Sequence, residues 1–237
     1  MSSNVDAFLT DKTRATERER ILHLTAARDL KLYAAAHEER LLISEPELDL
    51  DGYDFAMWSE FETIYIQSKA TLKKGGARSW HVRAALLKPS FYNRDLIPPL
   101  DGVNTWGMEI GGDGGVLLHV VDQEASTLQN LVIEYRYLDV FWLIGVAAGA
   151  IRKTERARGR ALSLLREIRD AGTDDKIKLN IGDFARLPCV EAIAALRLHI
   201  GVHSNWASVG RLVAELNAQP SLPEVYQEIW PGIQGVT

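Results

Sequence analysis

Hydrophobic positions follow a helical period at the start of the chain and a strand period after it. Residues 16–37 place apolar side chains at helical spacing, and Thr16 with Glu19 forms a capping box that predicts where the helix begins. Alternating or short apolar runs then predict strands. These strands cover residues 40–44, 53–58, 62–70, 79–87, 116–122 and 131–137. The order of elements predicts an α/β fold with a mixed central sheet flanked by helices.

The second half of the chain is expected to be mainly helical. Residues 140–151 form a short, uniformly apolar run, which predicts a buried element of either type. The pattern then predicts an amphipathic helix over residues 154–171, a strand over 176–184, and helices over 188–200 and 204–218. We expect a flexible tail (1–13), a core (14–150) and a mainly helical C-terminal extension packed on it (151–237).

Composition places the chain among ordinary globular proteins. It has 237 residues, of which 46% are hydrophobic and 25% charged. The single cysteine, Cys189, excludes an internal disulfide and suits a reducing compartment. The first 20 residues lack an apolar signal-peptide segment, and the longest apolar run is too short to span a membrane. We expect a cytoplasmic protein with no membrane partner.

Net charge limits the kinds of partner that the whole surface can bind. The chain carries 27 Lys and Arg against 32 Asp and Glu, a net charge of −5. This balance argues against a uniformly basic nucleic-acid binder. It leaves room for an enzyme on nucleic acid, because such a site needs carboxylates for a metal and basic residues on one face only.

Two short motifs on neighbouring predicted strands carry the candidate chemistry. Asp54 ends the triplet Gly52-Tyr53-Asp54, and the next strand contains Gln67 and Lys69. Residues i and i+2 of a strand face the same way, so Gln67 and Lys69 point together. A hairpin between the strands would bring Asp54 near Gln67. A carboxylate can hold Mg²⁺, and an adjacent ammonium group can stabilise negative charge on a phosphate.

A helix that bears glutamates, then Gly-x-Asp, then a strand with Gln-x-Lys, resembles the PD-(D/E)XK nuclease superfamily. The likeness is nearest to small prokaryotic branches in which Gln replaces the second acid. The resemblance implies a restriction-endonuclease-like fold and a Mg²⁺- or Mn²⁺-dependent endonuclease that cleaves DNA in prokaryotic defence or restriction. By the same resemblance, Asp54 and Gln67 hold the metal and Lys69 is the catalytic lysine.

The resemblance also implies that a glutamate supplies the charge that Gln67 lacks. Glu19 on the first helix is the candidate for this metal ligand. Its competitors are Glu17, Glu38, Glu39 and Glu62. Glu19 also has two purely structural alternatives: it could cap the helix, because Glu at this position is typical of a capping box, or it could be a solvent-exposed helix residue.

Several readings stay open beside the nuclease hypothesis. Asp54 could be a turn residue, and Gln67 and Lys69 could belong to a solvated strand face. The scaffold could be a catalytically inactive module that binds nucleic acid or assembles into a larger defence complex. Basic residues beyond the motif could contact DNA phosphates or form a solvated loop: Lys73, Lys74, Arg78 and Arg83.

Partners other than DNA are predicted less directly. The apolar run over residues 140–151 could form a homodimer interface, and a partner ATPase or another defence-complex subunit fits the resemblance. His119 lies inside an apolar strand, which is typical of a core histidine.

Overall fold

A computed structural model of the chain describes most of its first 193 residues. The described residues are 4–36, 38, 40–45, 52–58, 63–89, 111–127, 130–147, 153–187, 189–190 and 193. The predicted helices over 188–200 and 204–218 lie outside this described part, apart from three residues of the first. Within it, no helix is long and apolar enough to cross a membrane.

The chain begins with two helices that pack against the sheet. Helix α1 (Asn4–Thr10) is followed by a 3-10 turn (Lys12–Arg14) and the long helix α2 (Ala15–Ala36). Val5 and Leu9 of α1 are buried, in one cluster with Leu22 of α2. The expected flexible tail over residues 1–13 was therefore wrong for residues 4–13, because two apolar side chains dock this segment.

The start of α2 also differs from the prediction. The helix begins at Ala15, so Thr16 lies inside it and does not cap it. The capping side chain belongs to Asp11, whose Oδ1 accepts the Thr13 amide hydrogen at 2.8 Å and starts the 3-10 turn. Glu19 therefore takes no part in a capping box and is a solvent-exposed residue of α2, which is the other structural interpretation of this position.

A mixed sheet of six strands lies at the centre, as the sequence predicts. Its spatial order is β1-β2-β3-β5-β6-β8. All neighbouring strands are antiparallel except β3 and β5, which run parallel. The strands are β1 (Leu42–Ser44), β2 (Phe55–Trp58), β3 (Thr63–Leu72), β5 (Gly115–Val121), β6 (Ile133–Asp139) and β8 (Ala185–Leu187).

Alternation along these strands builds a hydrophobic core on each face of the sheet. On one face, α2 packs through Ala26 and Leu30 against a cluster that includes Ile64 and Ile66. The opposite face buries Leu118 among side chains of the helices that follow the sheet. Each residue of β3 therefore points either toward α2 or away from it.

The second half of the chain belongs to the same core. Helix α4 (Val140–Ala147) and helix α5 (Glu155–Asp170) bury their apolar sides on the face opposite α2. Thr154 caps α5, where its Oγ1 accepts the Ala157 amide hydrogen at 3.3 Å. Residues on both sides of position 150 thus share one core, and the C-terminal part also contributes two strands, one within the predicted strand over 176–184 and one, β8, in the main sheet.

A separate two-stranded ribbon lies beside the sheet. Strand β4 (Ser79–Arg83) pairs antiparallel with β7 (Lys176–Asn180). The predicted strand over residues 79–87 ends early, because Ala84–Leu87 form the short helix α3. The inner side of the ribbon joins the core opposite α2 through Val82, Ile177 and Leu179.

Candidate active site

The hairpin of β2 and β3 brings the two sequence motifs side by side. Phe55 is paired with Ile66 and Ala56 with Tyr65, so Asp54 enters β2 next to Gln67. Ile66 faces the core under α2. Because side chains alternate, Gln67 and Lys69 point to the opposite face of the sheet, as the spacing predicts.

Backbone hydrogen bonds hold the Asp54 carboxylate at the boundary between the two strands. The Asp54 amide donates to the Ile66 carbonyl oxygen at 2.8 Å. In return, Asp54 Oδ2 accepts the Ser68 amide hydrogen at 2.5 Å. The carboxylate therefore lies beside the residue that separates Gln67 from Lys69. The side chain of Asp54 is exposed, which leaves it open to a ligand from solvent.

Gln67 carries a polar atom that the protein leaves without a partner. The residue is only 9% exposed, and its carbonyl oxygen Oε1 accepts no hydrogen bond. A buried acceptor in this state costs about 1–3 kcal/mol of stability. Lys69, two residues further on, is half-buried on the same face. The unused oxygen therefore marks this part of the sheet as a place where a ligand would gain an interaction.

The Gly52 and Tyr53 positions have local reasons for their residue types. Gly52 has φ +77°, which favours glycine, and an added Cβ would lie 2.8 Å from Arg83 Cδ. The Tyr53 ring packs against Tyr65, with ring centroids 4.7 Å apart. Together they support the backbone immediately before Asp54 and bring β4 close to it through Arg83.

The structure does not bring Glu19 to this group. Glu19 is exposed on α2, and α2 packs on the sheet face opposite to Gln67 and Lys69. Glu17 is bound to Arg14 at 2.7 Å, and Glu38 is exposed beyond the end of α2. The other two competitors, Glu39 and Glu62, lie outside the described residues.

Asp54 and Gln67 offer one carboxylate and one amide oxygen here. In that part of the chain, no group of three or more His, Cys, Asp or Glu side chains could hold a metal ion. Mg²⁺ usually binds through one or two protein carboxylates and keeps waters or substrate phosphates as its other ligands. The donor set at Asp54 and Gln67 fits such an open site.

A buried histidine pair under the hairpin was missed by sequence reasoning as a unit. His119 is fully buried, and its Nε2 lies 3.0 Å from Ser68 Oγ on the α2 side of the sheet. His23 of α2 lies 3.1 Å from a carboxylate oxygen of Glu45. Both Nδ1 atoms lack a hydrogen-bond partner. Helical spacing could have indicated that His23 is buried, but its proximity to His119 depends on tertiary packing.

Burial controls the protonation of both histidines. Desolvation lowers the pKa of His119 to about 3, and the nearby His23 contributes a smaller decrease. Desolvation also lowers the pKa of His23, although the Glu45 carboxylate opposes this shift. Both rings are therefore neutral at pH 7. They form part of the support under the hairpin, on the face away from Gln67.

The four predicted DNA-contacting residues divide into two pairs. Lys73 forms an ion pair with Asp122 at 2.6 Å, and Lys74 forms one with Glu124 at the same distance. Arg78 is exposed just before β4. Arg83 packs across Gly52, as described above. The arginines thus lie on the ribbon side, whereas the lysines face acidic partners at the far end of β3.

Comparisons with known proteins do not assign the chain to a family. No protein-family model matches the chain, and neither a curated protein nor a solved structure matches it.

Proposed function

We propose that the chain is a metal-dependent endonuclease that hydrolyses phosphodiester bonds of DNA. One observation carries the proposal. The β2–β3 hairpin combines an exposed carboxylate on Asp54 with a buried, unused carbonyl oxygen on Gln67 and an ammonium group on Lys69. The mixed sheet with helices on both faces supports the finer assignment to a restriction-endonuclease-like fold, which the motif order implies.

Asp54 and Gln67 would hold the Mg²⁺ or Mn²⁺ ion. When bound, such an ion polarises the phosphate and lowers the pKa of a bound water molecule. The Ser68 amide holds the Asp54 carboxylate beside the strand that carries Gln67. Gln67 adds no charge, which predicts weaker metal affinity than a site with two carboxylates would have.

Lys69 would act on the phosphate itself. Lys69 lies on the same face of the sheet as Gln67, and the residue is half-buried. A positive charge in this position stabilises the negative charge that develops on the phosphate oxygens as the attacking water adds. It would also orient that water by hydrogen bonding.

Two variants test this assignment. Asp54→Asn keeps an oxygen acceptor for the Ser68 amide but removes the charge, and Lys69→Ala removes the ammonium group. We expect each to lower Mg²⁺-dependent cleavage of plasmid DNA by about 100-fold or more, as loss of one transition-state contact typically does. Matched controls are Asp174→Asn and Lys31→Ala, which change exposed residues elsewhere and should retain full cleavage. Wild-type cleavage by both site variants would refute the assignment.

A second candidate function follows from Gln67, which stands where the motif usually has a second acidic residue. With one carboxylate in the described site, the domain could bind nucleic acid or assemble into a defence complex without catalysis. A metal that binds only the folded state stabilises it by about 2.7 kcal/mol at 100 times its Kd. A rise in Tm with Mn²⁺ that Asp54→Asn abolishes would therefore favour the nuclease. An unchanged Tm together with intact plasmid would favour the inactive module.

A further inference from the structure

A row of aromatic side chains runs along the sheet face that carries Gln67. Tyr65 lies two residues before Gln67 on β3, so the two side chains share a face. Trp58 lies on β2, two residues after the Ala56 that is paired with Tyr65, so it shares that face as well. The third ring is that of Tyr53, whose centroid lies 4.7 Å from that of Tyr65. We call Tyr53, Tyr65 and Trp58 the aromatic row.

The two ends of the aromatic row differ in how far they reach solvent. Tyr53 and Tyr65 are half-buried and pack against the core opposite α2. Trp58 is 39% exposed, and Leu42, its cross-strand partner on β1, is 48% exposed. The other Phe, Tyr and Trp side chains of the described residues are buried or half-buried. An exposed Trp and Leu side by side leave apolar surface in water, which a ligand could cover favourably.

The aromatic row adjoins the candidate metal ligands. Tyr53 precedes Asp54 in the chain, and Tyr65 is the neighbour of Gln67 on the same face of β3. Trp58 follows Asp54 by four residues, which is about 13 Å along an extended strand. That distance is about four nucleotides at the 3.4 Å rise of one stacked DNA strand. A strand with a phosphate at Asp54 would therefore have a base within reach of Trp58.

The chemistry of the aromatic row suits unpaired bases better than a paired duplex. Aromatic rings stack on the flat faces of bases, and this stacking accepts any base because each has a π-face. In a duplex these faces are covered by the neighbouring base pairs. Charge points the same way, because the chain has a net charge of −5 and so gains little from the general attraction that dominates duplex binding.

We propose that the aromatic row stacks on unpaired bases of the DNA strand at the candidate active site, with Trp58 as its principal contact. The inference rests on the proposed nuclease function and names its substrate class, which is DNA with an unpaired segment such as an overhang or a flap. Stacking of this kind selects unpaired over paired bases without selecting a sequence.

The test measures binding without catalysis. The full chain is titrated in EDTA, by anisotropy, into three fluorescent probes: a strand of deoxythymidines, an abasic strand of the same length, and a blunt duplex. The two single strands carry equal backbone charge, so a difference between them reports contacts to bases. We expect the wild type to bind the deoxythymidine strand more tightly than the abasic strand and more tightly than the duplex.

Variants of Trp58 then assign this preference to the aromatic row. Trp58→Ala should weaken binding of the deoxythymidine strand by about 5- to 150-fold, which corresponds to 1–3 kcal/mol for one stacked base. Binding of the abasic strand should not change. Trp58→Phe keeps a ring and should stay closer to the wild type. The control is Leu24→Ala, which removes a 51% exposed apolar side chain on α2 and should bind all three probes as the wild type does.

Salt dependence separates stacking from charge. Stacking releases no counterions, so the slope of log K against log salt should be the same for the wild type and Trp58→Ala. A smaller slope for Trp58→Ala would mean that the substitution disturbs phosphate contacts instead, which contradicts the inference. Circular dichroism and Tm confirm that the variant is folded, and the comparison of the two single strands needs no variant.

The outcomes separate this inference from the nuclease proposal. A preference for the base-bearing strand that Trp58→Ala removes supports the aromatic row even where cleavage is absent, since metal plays no part in the measurement. Equal binding of both single strands by the wild type, or no binding at all, overturns the inference whether or not the protein cleaves DNA. Duplex binding as tight as single-strand binding also overturns it, as does a preference that Trp58→Ala retains.

Discussion

At the scale of single residues, buried polar atoms that lack a hydrogen-bond partner lead to the most specific predictions. Gln67 and His119 both lie in the central sheet, and each keeps one polar atom without a hydrogen bond. They point to opposite faces, because one belongs to the odd positions of β3 and the other packs against Ser68. The unpaired oxygen of Gln67 leads to a prediction about stability and activity, and the buried ring of His119 leads to a prediction about how stability depends on pH.

Replacing the buried amide should stabilise the fold while it removes activity. We expect Gln67→Leu to raise the free energy of unfolding by about 1 kcal/mol, since it removes an unsatisfied buried acceptor. Cleavage and the Mn²⁺-dependent rise in Tm should both be lost. The comparison is Thr71→Val on the same face, whose hydroxyl donates to the Ala77 carbonyl oxygen at 2.9 Å. Because Thr71→Val removes this hydrogen bond, it should lower the free energy of unfolding, which urea unfolding measures for both variants. A destabilised Gln67→Leu protein would show that the amide has a structural role.

The buried histidine should make stability depend on pH. Folded His119 stays neutral down to a pKa of about 3, whereas the unfolded chain takes up a proton near the ordinary value of 6.5. Between these values the unfolded state binds more protons, so stability is complete above pH 6.5 and falls as the pH decreases. For one proton, the free energy of unfolding can change by at most about 1.4 kcal/mol per pH unit.

Urea unfolding at several pH values from 7 to 4.5 measures this effect when the loss of stability of the wild type is compared with that of variants. His119→Asn should lose less stability than the wild type over that range. The exposed His81→Asn should follow the wild type. Parallel curves for wild type and His119→Asn would exclude His119 as the source of the pH dependence.

At the scale of elements, local patterns predicted most strands, but packing decided which faces meet. The alternation in β3 and the turn before β2 are local, so the pairing of Asp54 with the Gln67 strand could be predicted. The side on which α2 packs is not local, and for that reason Glu19 was expected at the site. The pairing of β4 with β7 joins distant segments, and no periodicity in either strand indicates it.

Helix α1 is another element that the sequence pattern did not predict, because the segment was expected to be a flexible tail. Leu9 is only 1% exposed and packs in one cluster with Leu22 and Val121. We expect Leu9→Ala to lower the free energy of unfolding by about 2–5 kcal/mol, as for other buried leucines. Leu24→Ala is the matched control, because Leu24 is 51% exposed on α2. Equal midpoints in urea for both variants would mean that α1 does not contribute to the core.

At the scale of the whole molecule, the two faces of the central sheet carry different groups of residues. The α2 side encloses the histidine pair, and the other side carries the candidate metal ligands beside the cores of α4 and α5. The sequence predicted an extension after residue 150, since composition changes there. That part supplies β7, within the strand predicted over 176–184, to the two-stranded ribbon, and it also supplies β8, which the sequence did not predict, to the main sheet. Both the ribbon and the sheet are therefore complete only when the two halves of the chain are assembled.

The single parallel pairing has a consequence for how the chain reaches this structure. Residues 73–114, which include β4 and α3, separate β3 from β5 in sequence, and pairing two distant segments costs more chain entropy than pairing two close ones. The β2–β3 hairpin needs only residues 59–62 to close. Contacts of low sequence separation are the ones that form fastest. We therefore expect the hairpin that carries Asp54, Gln67 and Lys69 to form early, while the strands around it depend on slower, long-range assembly.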